Sequence, residues 1–217
     1  IMDNVIYYDG TVASDPSNEK FISEEIGISH TQGNYAVKVN LYNTDWKDRN
    51  LTKSVTTGQG DSGDTDVIFL TGVDQNHKGI EVEASAQVHE MVRLNVAASL
   101  GDWKFVGDAN GNYQENEYNE NNEVIGLKTT EYQYALDELK VGDMPQQAYV
   151  LGATLTPVKG LSLQVLSKTY ISNYSDWSPD SREYSGEATD ADRSQVWEAP
   201  AYTKLDLHAS YKLTERM

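Results

Sequence analysis

The chain has 217 residues, 34 acidic against 17 basic side chains for a formal charge of -17, and no cysteine. Such acidity excludes a nucleic-acid partner, which needs clustered Lys and Arg to meet phosphates. A mean hydropathy of -0.60, with nothing near the roughly 18 consecutive apolar residues a spanning helix requires, excludes helical insertion into a membrane. The missing cysteines are compatible with an oxidising compartment. At the start, Ile1-Met2-Asp3-Asn4 has neither a basic flank nor an apolar segment, so the N-terminus is expected to be internal to a longer precursor, and residues 1–17 read as the tail of an earlier loop.

Strand-like alternation begins at residues 20–31, where Ile26 and Ile28 stand against Glu25, Gly27 and Ser29. After the tight-turn sequence Gln32-Gly33-Asn34, residues 35–52 set Tyr35, Val37, Val39 and Leu41 against Lys38, Asn40 and Tyr42, which predicts a hairpin. A Gly/Asp/Ser/Thr loop follows at about 56–66. Residues 67–88 and 91–107 form the next pair, joined around His89-Glu90. Ile80, Val82, Ala84 and Ala86 alternate with Glu81, Glu83, Ser85 and Gln87 on the first, and Leu94, Val96, Ala98 and Leu100 with Arg93, Asn95 and Ser99 on the second.

A long, very polar segment from about 108 to 144 reads as a loop. The third pair, 145–156 and 161–175, is joined by the turn Pro157-Val-Lys-Gly160. Tyr149, Leu151, Ala153 and Leu155 face one way, as do Leu161, Leu163, Val165 and Ile171. Residues 176–199 read as an acidic loop and 200–213 as a last strand, on which Leu205, Leu207, Ala209, Tyr211 and Leu213 alternate with Lys204, Asp206, His208, Ser210 and Lys212.

About seven strands therefore carry one apolar and one charged face, with connections alternating short and long. A wall between lipid and water has this pattern, and in outer-membrane barrels the short turns are periplasmic and the long loops extracellular. The fold class expected is all-β, an antiparallel meander from a large transmembrane barrel. Seven such strands alone would leave open edges in hydrocarbon, so residues 1–217 are expected to be a fragment of a single barrel domain whose other strands lie elsewhere.

Three stretches carry a family resemblance. They are Ser23-Glu24-Glu25-Ile26-Gly27 followed by Val39-Asn40-Leu41-Tyr42-Asn43-Thr44-Asp45-Trp46, then Asn76-His77-Lys78-Gly79-Ile80-Glu81-Val82-Glu83, and Tyr202-Thr-Lys-Leu-Asp206-Leu-His-Ala-Ser-Tyr211. In order and spacing they resemble the late barrel strands of TonB-dependent outer-membrane receptors. The resemblance implies a barrel of about 22 strands, plugged by an N-terminal domain, that imports a scarce nutrient such as a siderophore or a glycan with energy from TonB. It also implies outer-membrane lipid, the plug, the TonB complex and a surface lipoprotein as partners, and no enzymatic activity. The long acidic loops resemble Bacteroidetes-type receptors. The final Thr214-Glu-Arg-Met217 lacks the family's terminal aromatic, so further strands are expected beyond it.

Chemistry-bearing residues are sparse. Glu81 and Glu83 lie about 7 Å apart on one strand face, a spacing a glycosidase would use, yet lumen-wall charge is the stronger reading. Asp108-Ala-Asn110-Gly-Asn112 and Asp61-Ser-Gly-Asp64-Thr-Asp66 are candidate calcium loops, with solvated loop favoured in both, and no other cofactor is expected. His30, His77, His89 and His208 lack ligand spacing, so no metal is assigned, and Gly58-Gln-Gly60-Asp-Ser62-Gly63 reads as a flexible loop. Trp46, Trp103 and Tyr170 are placed in an interfacial girdle or the wall. The ligand-binding candidates are Tyr174, Trp177, Tyr184 and Trp197 around one outer loop and Tyr113 and Tyr118, near Tyr132 and Tyr134, in another. A passive porin is the alternative, and a soluble β-sandwich, which needs bulkier core residues, the weaker one.

Overall fold

The computed structural model describes residues 18–57, 64–121 and 123–213. The Asp61–Gly63 part of the second candidate calcium loop, and the Gly58–Gly63 stretch, lie outside them. Strands β1 (Lys20–Gln32), β2 (Tyr35–Thr57), β3 (Asp64–His89) and β4 (Val92–Val106) pair in order, all antiparallel. Gly33 turns the first hairpin at φ +56°, a left-handed conformation that costs glycine nothing. β7 (Pro145–Leu155), β8 (Leu161–Tyr174) and β11 (Tyr202–Tyr211) continue the meander from β4, and Gly160 at φ +89° closes the turn between β7 and β8. The sheet is curled. Among the described residues β1 pairs only with β2, and β11 only with β8, so closure into a barrel needs further strands at both edges.

The segment 108–144 is not a loop. β5 (Ala109–Tyr118) takes over from β4 along β3, with the register slipping at Gly107-Asp108, and β6 (Val124–Tyr134) returns beside it. Residues 135–144 then run along β4, where the Phe105 N–H donates to Leu139 O (2.9 Å) and the Val141 N–H to Trp103 O (3.1 Å). The wall is thus extended at the long-loop end. The polar composition hid these strands, because a sheet standing in water on its outer side needs no apolar row there.

Register tests the alternation directly. One row runs Gln32, Tyr35, Ala86, Leu94, Ala153, Val165 and Leu207 across seven strands, so the apolar positions share one face. They are open to solvent there, with Ile26 71%, Ile28 72%, Leu205 71% and Leu207 80% exposed. Each such side chain left in water forgoes roughly 1.5–3 kcal/mol, a loss that an acyl-chain environment removes. The row beyond Ile26–Leu41–Ile80–Leu100 is Glu24–Asn43–Lys78–Asp102, a sharp polar edge.

The apolar band crosses the rows obliquely. On β1 it has already given way to His30 and Gln32 near the turn, whereas β11 carries Leu207 in the same row as Gln32 and continues to Ala209 and Tyr211. A band level in the membrane cuts the rows this way only if the strands are tilted, as barrel closure requires. We expect Val82→Arg, in the centre of the band, to cost about 2–4 kcal/mol in urea unfolding of the full-length protein from lipid vesicles. Glu83→Gln on the opposite face is expected to stay within about 0.5 kcal/mol.

Candidate functional site

The inner, polar face holds two features at the long-loop end. The first is a buried cap. Gly72, at φ +67°, adds a residue to β3, so Ile68, Leu70 and Val73 share the face of Gln75, and all four are buried. Phe105, Ala109, Tyr134, Leu136, Leu139 and Trp177 complete this core. Gly111 lies beneath it, where a Cβ would come within 2.8 Å of both Ile68 and Tyr134.

The connection from β8 to β11 folds back over this inner face. Trp177 sits between Phe105, edge-on at 6.3 Å, and Tyr134 at 5.7 Å, while the Lys53 amine on β2 reaches the Asp176 carboxylate. Two short strands, β9 (Glu183–Tyr184) and β10 (Glu198–Ala199), fasten the connection to β6 and β8. Gln195 donates to Glu138 O (3.0 Å) and accepts from the Lys140 N–H (3.0 Å).

Asp108 is the clasp. Its carboxylate takes both arms of the Arg193 guanidinium (2.9 and 2.8 Å), the Tyr184 hydroxyl (3.0 Å) and the backbone N–H groups of Leu136 and Asp137 (3.1 Å each). The Arg193 hydrogen bonds, helped by the Asp137 N–H and Tyr184, hold its pKa at about 2 against the opposing effect of burial. Asp108, the first acid of the Asp108-Ala-Asn110-Gly-Asn112 stretch, thus ties the cap to the wall through an ion pair. Burial raises the pKa of Tyr134, and its phenol stays neutral in the core.

The aromatic candidates part company here. Trp177 is buried core, Tyr184 is bound to Asp108, and Tyr113 packs half-buried against the cap. Tyr174 is half-buried at the β8–β10 pair, and Trp197 is exposed. Tyr118 ends β5, and its side chain lies outside the described residues. The structure does not gather the five described side chains into one surface. Trp46, Trp103 and Tyr170 share the inner face with Asn40, Glu81 and Lys168, so of the two expected placements they take the wall and not the interfacial girdle. Among the described residues, Tyr35, Tyr149 and Tyr211 lie on the apolar face.

The second feature is a concavity of about 440 Å³ just below the cap, on β1 to β4. Its rows are Gly27–Asn40–Glu81, then Glu25–Tyr42–Gly79–Gly101, then Ser23–Thr44–His77–Trp103, and finally Phe21–Trp46–Gln75. Three glycines shape it. A Cβ on Gly79 would lie 2.5 Å from the Tyr42 hydroxyl oxygen, one on Gly101 2.7 Å from Trp103 Nε1, and one on Gly27 3.1 Å from Asn40 Oδ1. The Tyr42 and Trp103 rings therefore lie down over backbone, joined by Trp103 Nε1–H donating to Tyr42 Oη (2.9 Å).

Around these rings the side chains brace one another. His77 stacks on Trp103 at 5.5 Å, and its Nε2 donates to Gln75 Oε1 at 3.1 Å, the atom that also accepts from Arg49 Nη1 at 2.6 Å. The Arg49 guanidinium covers the Trp46 ring at 3.6 Å, and Phe21 meets it edge-on at 5.9 Å. Sequence reasoning missed this shelf because its rings come from four strands. The signal available was glycine interrupting the alternation at Gly27, Gly79 and Gly101, each opposite or beside a large polar or aromatic residue.

A family model described as "TonB dependent receptor-like, beta-barrel" matches residues 5–217. The chain belongs to this family. No curated protein and no solved structure matches it. The family is one of bacterial outer-membrane receptors for transport, barrels in which an apolar band faces outward and a polar face lines the lumen, the alternation this sheet shows. The cap overhangs the mouth of that lumen, and the shelf lies on the wall immediately inside.

The Asp108 carboxylate lends the cap stability that is complete above its unfolded pKa of about 4 and lost as pH falls through about 2. Asp108→Asn is expected to abolish that acid dependence. At neutral pH it should speed proteolysis between residues 175 and 197, with local opening easier by about 1–2 kcal/mol and the barrel intact on heat-modifiable gel mobility.

Proposed function

We propose that the chain forms part of the wall of an outer-membrane receptor that binds a scarce nutrient outside and imports it with energy supplied by TonB. The observation that carries this reading is the inner face: a polar, aromatic-lined wall whose mouth is overhung by a folded connection. A passive pore works by leaving its lumen open, whereas a receptor must contact its cargo before moving it. The Trp177 core and the Asp108–Arg193 clasp hold the overhang over the lumen side, and the shelf below is a ready contact surface.

In this reading the work of import comes from a partner. The plug, held within the barrel, fills the lumen and transmits the pull of TonB from the inner membrane. Outer-membrane lipid covers the band of Ile26, Val82 and Leu205. The aromatics Tyr113, Tyr174, Trp177 and Tyr184 act here through the cap, and among the candidates whose side chains are described Trp197 is the exposed one, open to arriving cargo; Tyr118 belongs to the same proposed surface by its place at the end of β5. A surface lipoprotein is a fitting partner for the exposed side of the cap.

Growth of a strain lacking the parent gene on candidate nutrients identifies the cargo, and uptake of that nutrient is then measured. Import is expected to stop on collapse of the proton gradient and in a strain lacking TonB. Uptake that survives both treatments sinks the energised reading and leaves diffusion through a pore.

A further inference from the structure

The outward face changes character abruptly where the apolar band ends. On β3 the step from Ile80 to Lys78, and on β4 the steps from Leu100 to Asp102 and Lys104, take one face from aliphatic to charged. Lys140 joins this patch from the 135–144 segment, as the cross-strand partner of Lys104. Resting on the outer-membrane placement above, we infer that Lys78, Lys104 and Lys140 hold a phosphate group of a glycolipid in the leaflet on the long-connection side.

Two lysines directly opposite one another destabilise a sheet unless an anion lies between them. Here the anion supplied by the chain is insufficient. Asp102 is hydrogen-bonded by Lys140 and has Lys78 and Lys104 at 3.7 and 3.9 Å, so one carboxylate draws three ammonium groups together. Glu138 accepts from Lys104 and is itself 70% exposed. Three cations against two carboxylates leave positive charge in excess, and each ammonium has further protons to donate. Lys78, more than half exposed, stands too far from Asp102 to hydrogen-bond it. Asp45, next along the Asn76–Lys104 row, already accepts from the Asn76 amide (2.7 Å).

The same motif recurs at the other end of the border. Lys20 directly follows Ile22 on the outward face of β1 and stands opposite Lys47 on β2. Asp48 meets Lys20 at 2.8 Å, and Lys47 is exposed. Because the band is oblique to the rows, Ile22 and Ile80 both lie at its upper border, and lysine follows each. Head-group phosphates sit at this depth in a leaflet, where a lysine stem runs along apolar surface and its ammonium reaches the polar layer. A phosphomonoester, with about two negative charges and three acceptor oxygens, matches the surplus donors around Asp102. Head groups also cover this strip, which keeps soluble proteins from it.

The test uses the full-length receptor, stripped of lipid in detergent and titrated with bisphosphorylated lipid A, its dephosphorylated form and inorganic phosphate. Bound lipid is counted by native mass spectrometry. Lipid A is expected to bind about tenfold or more tightly than the dephosphorylated form, a preference that shrinks as salt is raised. The combined Lys78→Gln, Lys104→Gln and Lys140→Gln variant is expected to lose that preference, whereas Lys38→Gln on the inner face keeps it. Lys78→Gln alone, which removes no hydrogen bond to Asp102, is expected to weaken lipid A several-fold and keeps the test readable should the triple variant fail to assemble. Equal binding of the two lipids, or a phosphate preference that survives the triple substitution, overturns the assignment. So does inorganic phosphate taking the place of the lipid, which marks an anion site open to solution. Phosphate-selective lipid binding without energised uptake removes import and spares this site, and energised uptake without lipid selectivity does the reverse.

Discussion

Everything in this wall depends on continuous antiparallel backbone pairing across a medium with no water to offer. In hydrocarbon an unpaired N–H or C=O costs several kcal/mol, so strands must run side by side without a gap. That pairing imposes a two-residue period on the side chains, and the period divides the chain's polarity into a face for lipid and a face for solvent. The row from Gln32 to Leu207 expresses the constraint across seven strands. Its obliquity to the apolar band records the tilt that lets such a sheet close.

Beyond the band the same face changes its chemistry. Glu81, His77 and Gln75 give way along β3 to Val73, Leu70 and Ile68, because a connection folds over that face and excludes water from it. Gly72 keeps the register of this change by absorbing one extra residue at a positive φ. The result is a small soluble-type core carried on a membrane wall. Asp108 and Arg193 join its two layers with a charge-assisted fork, and the carboxylate's low pKa is the electrostatic signature of that junction.

The shelf follows from a different economy, in which absence of a side chain has as much effect as its presence. Glycine weakens a strand interior and is tolerated where another group must approach the backbone closely. Gly27, Gly79 and Gly101 each lie beneath a larger lumen-facing side chain, so a wall of upright side chains becomes a recess. Cap and shelf together put a roof and a floor at the entrance to the lumen.

Alternation alone determined the fold class, the seven wall strands and the facing of Leu205, Val82 and Glu83, since a period of two is a local property that lipid on one side makes strict. The strands between 108 and 134 were illegible, for above the membrane their outer side chains meet water and the period loses its contrast. Asp108 and Arg193 stand 85 residues apart, and Trp177 is distant in sequence from both Phe105 and Tyr134. No spacing rule connects them. The shelf likewise gathers β1, β2, β3 and β4 through ladder register, so Tyr42, Gly79 and Trp103 became one surface only when the strands were paired. Local sequence decides which way a side chain points, and pairing decides what it points at.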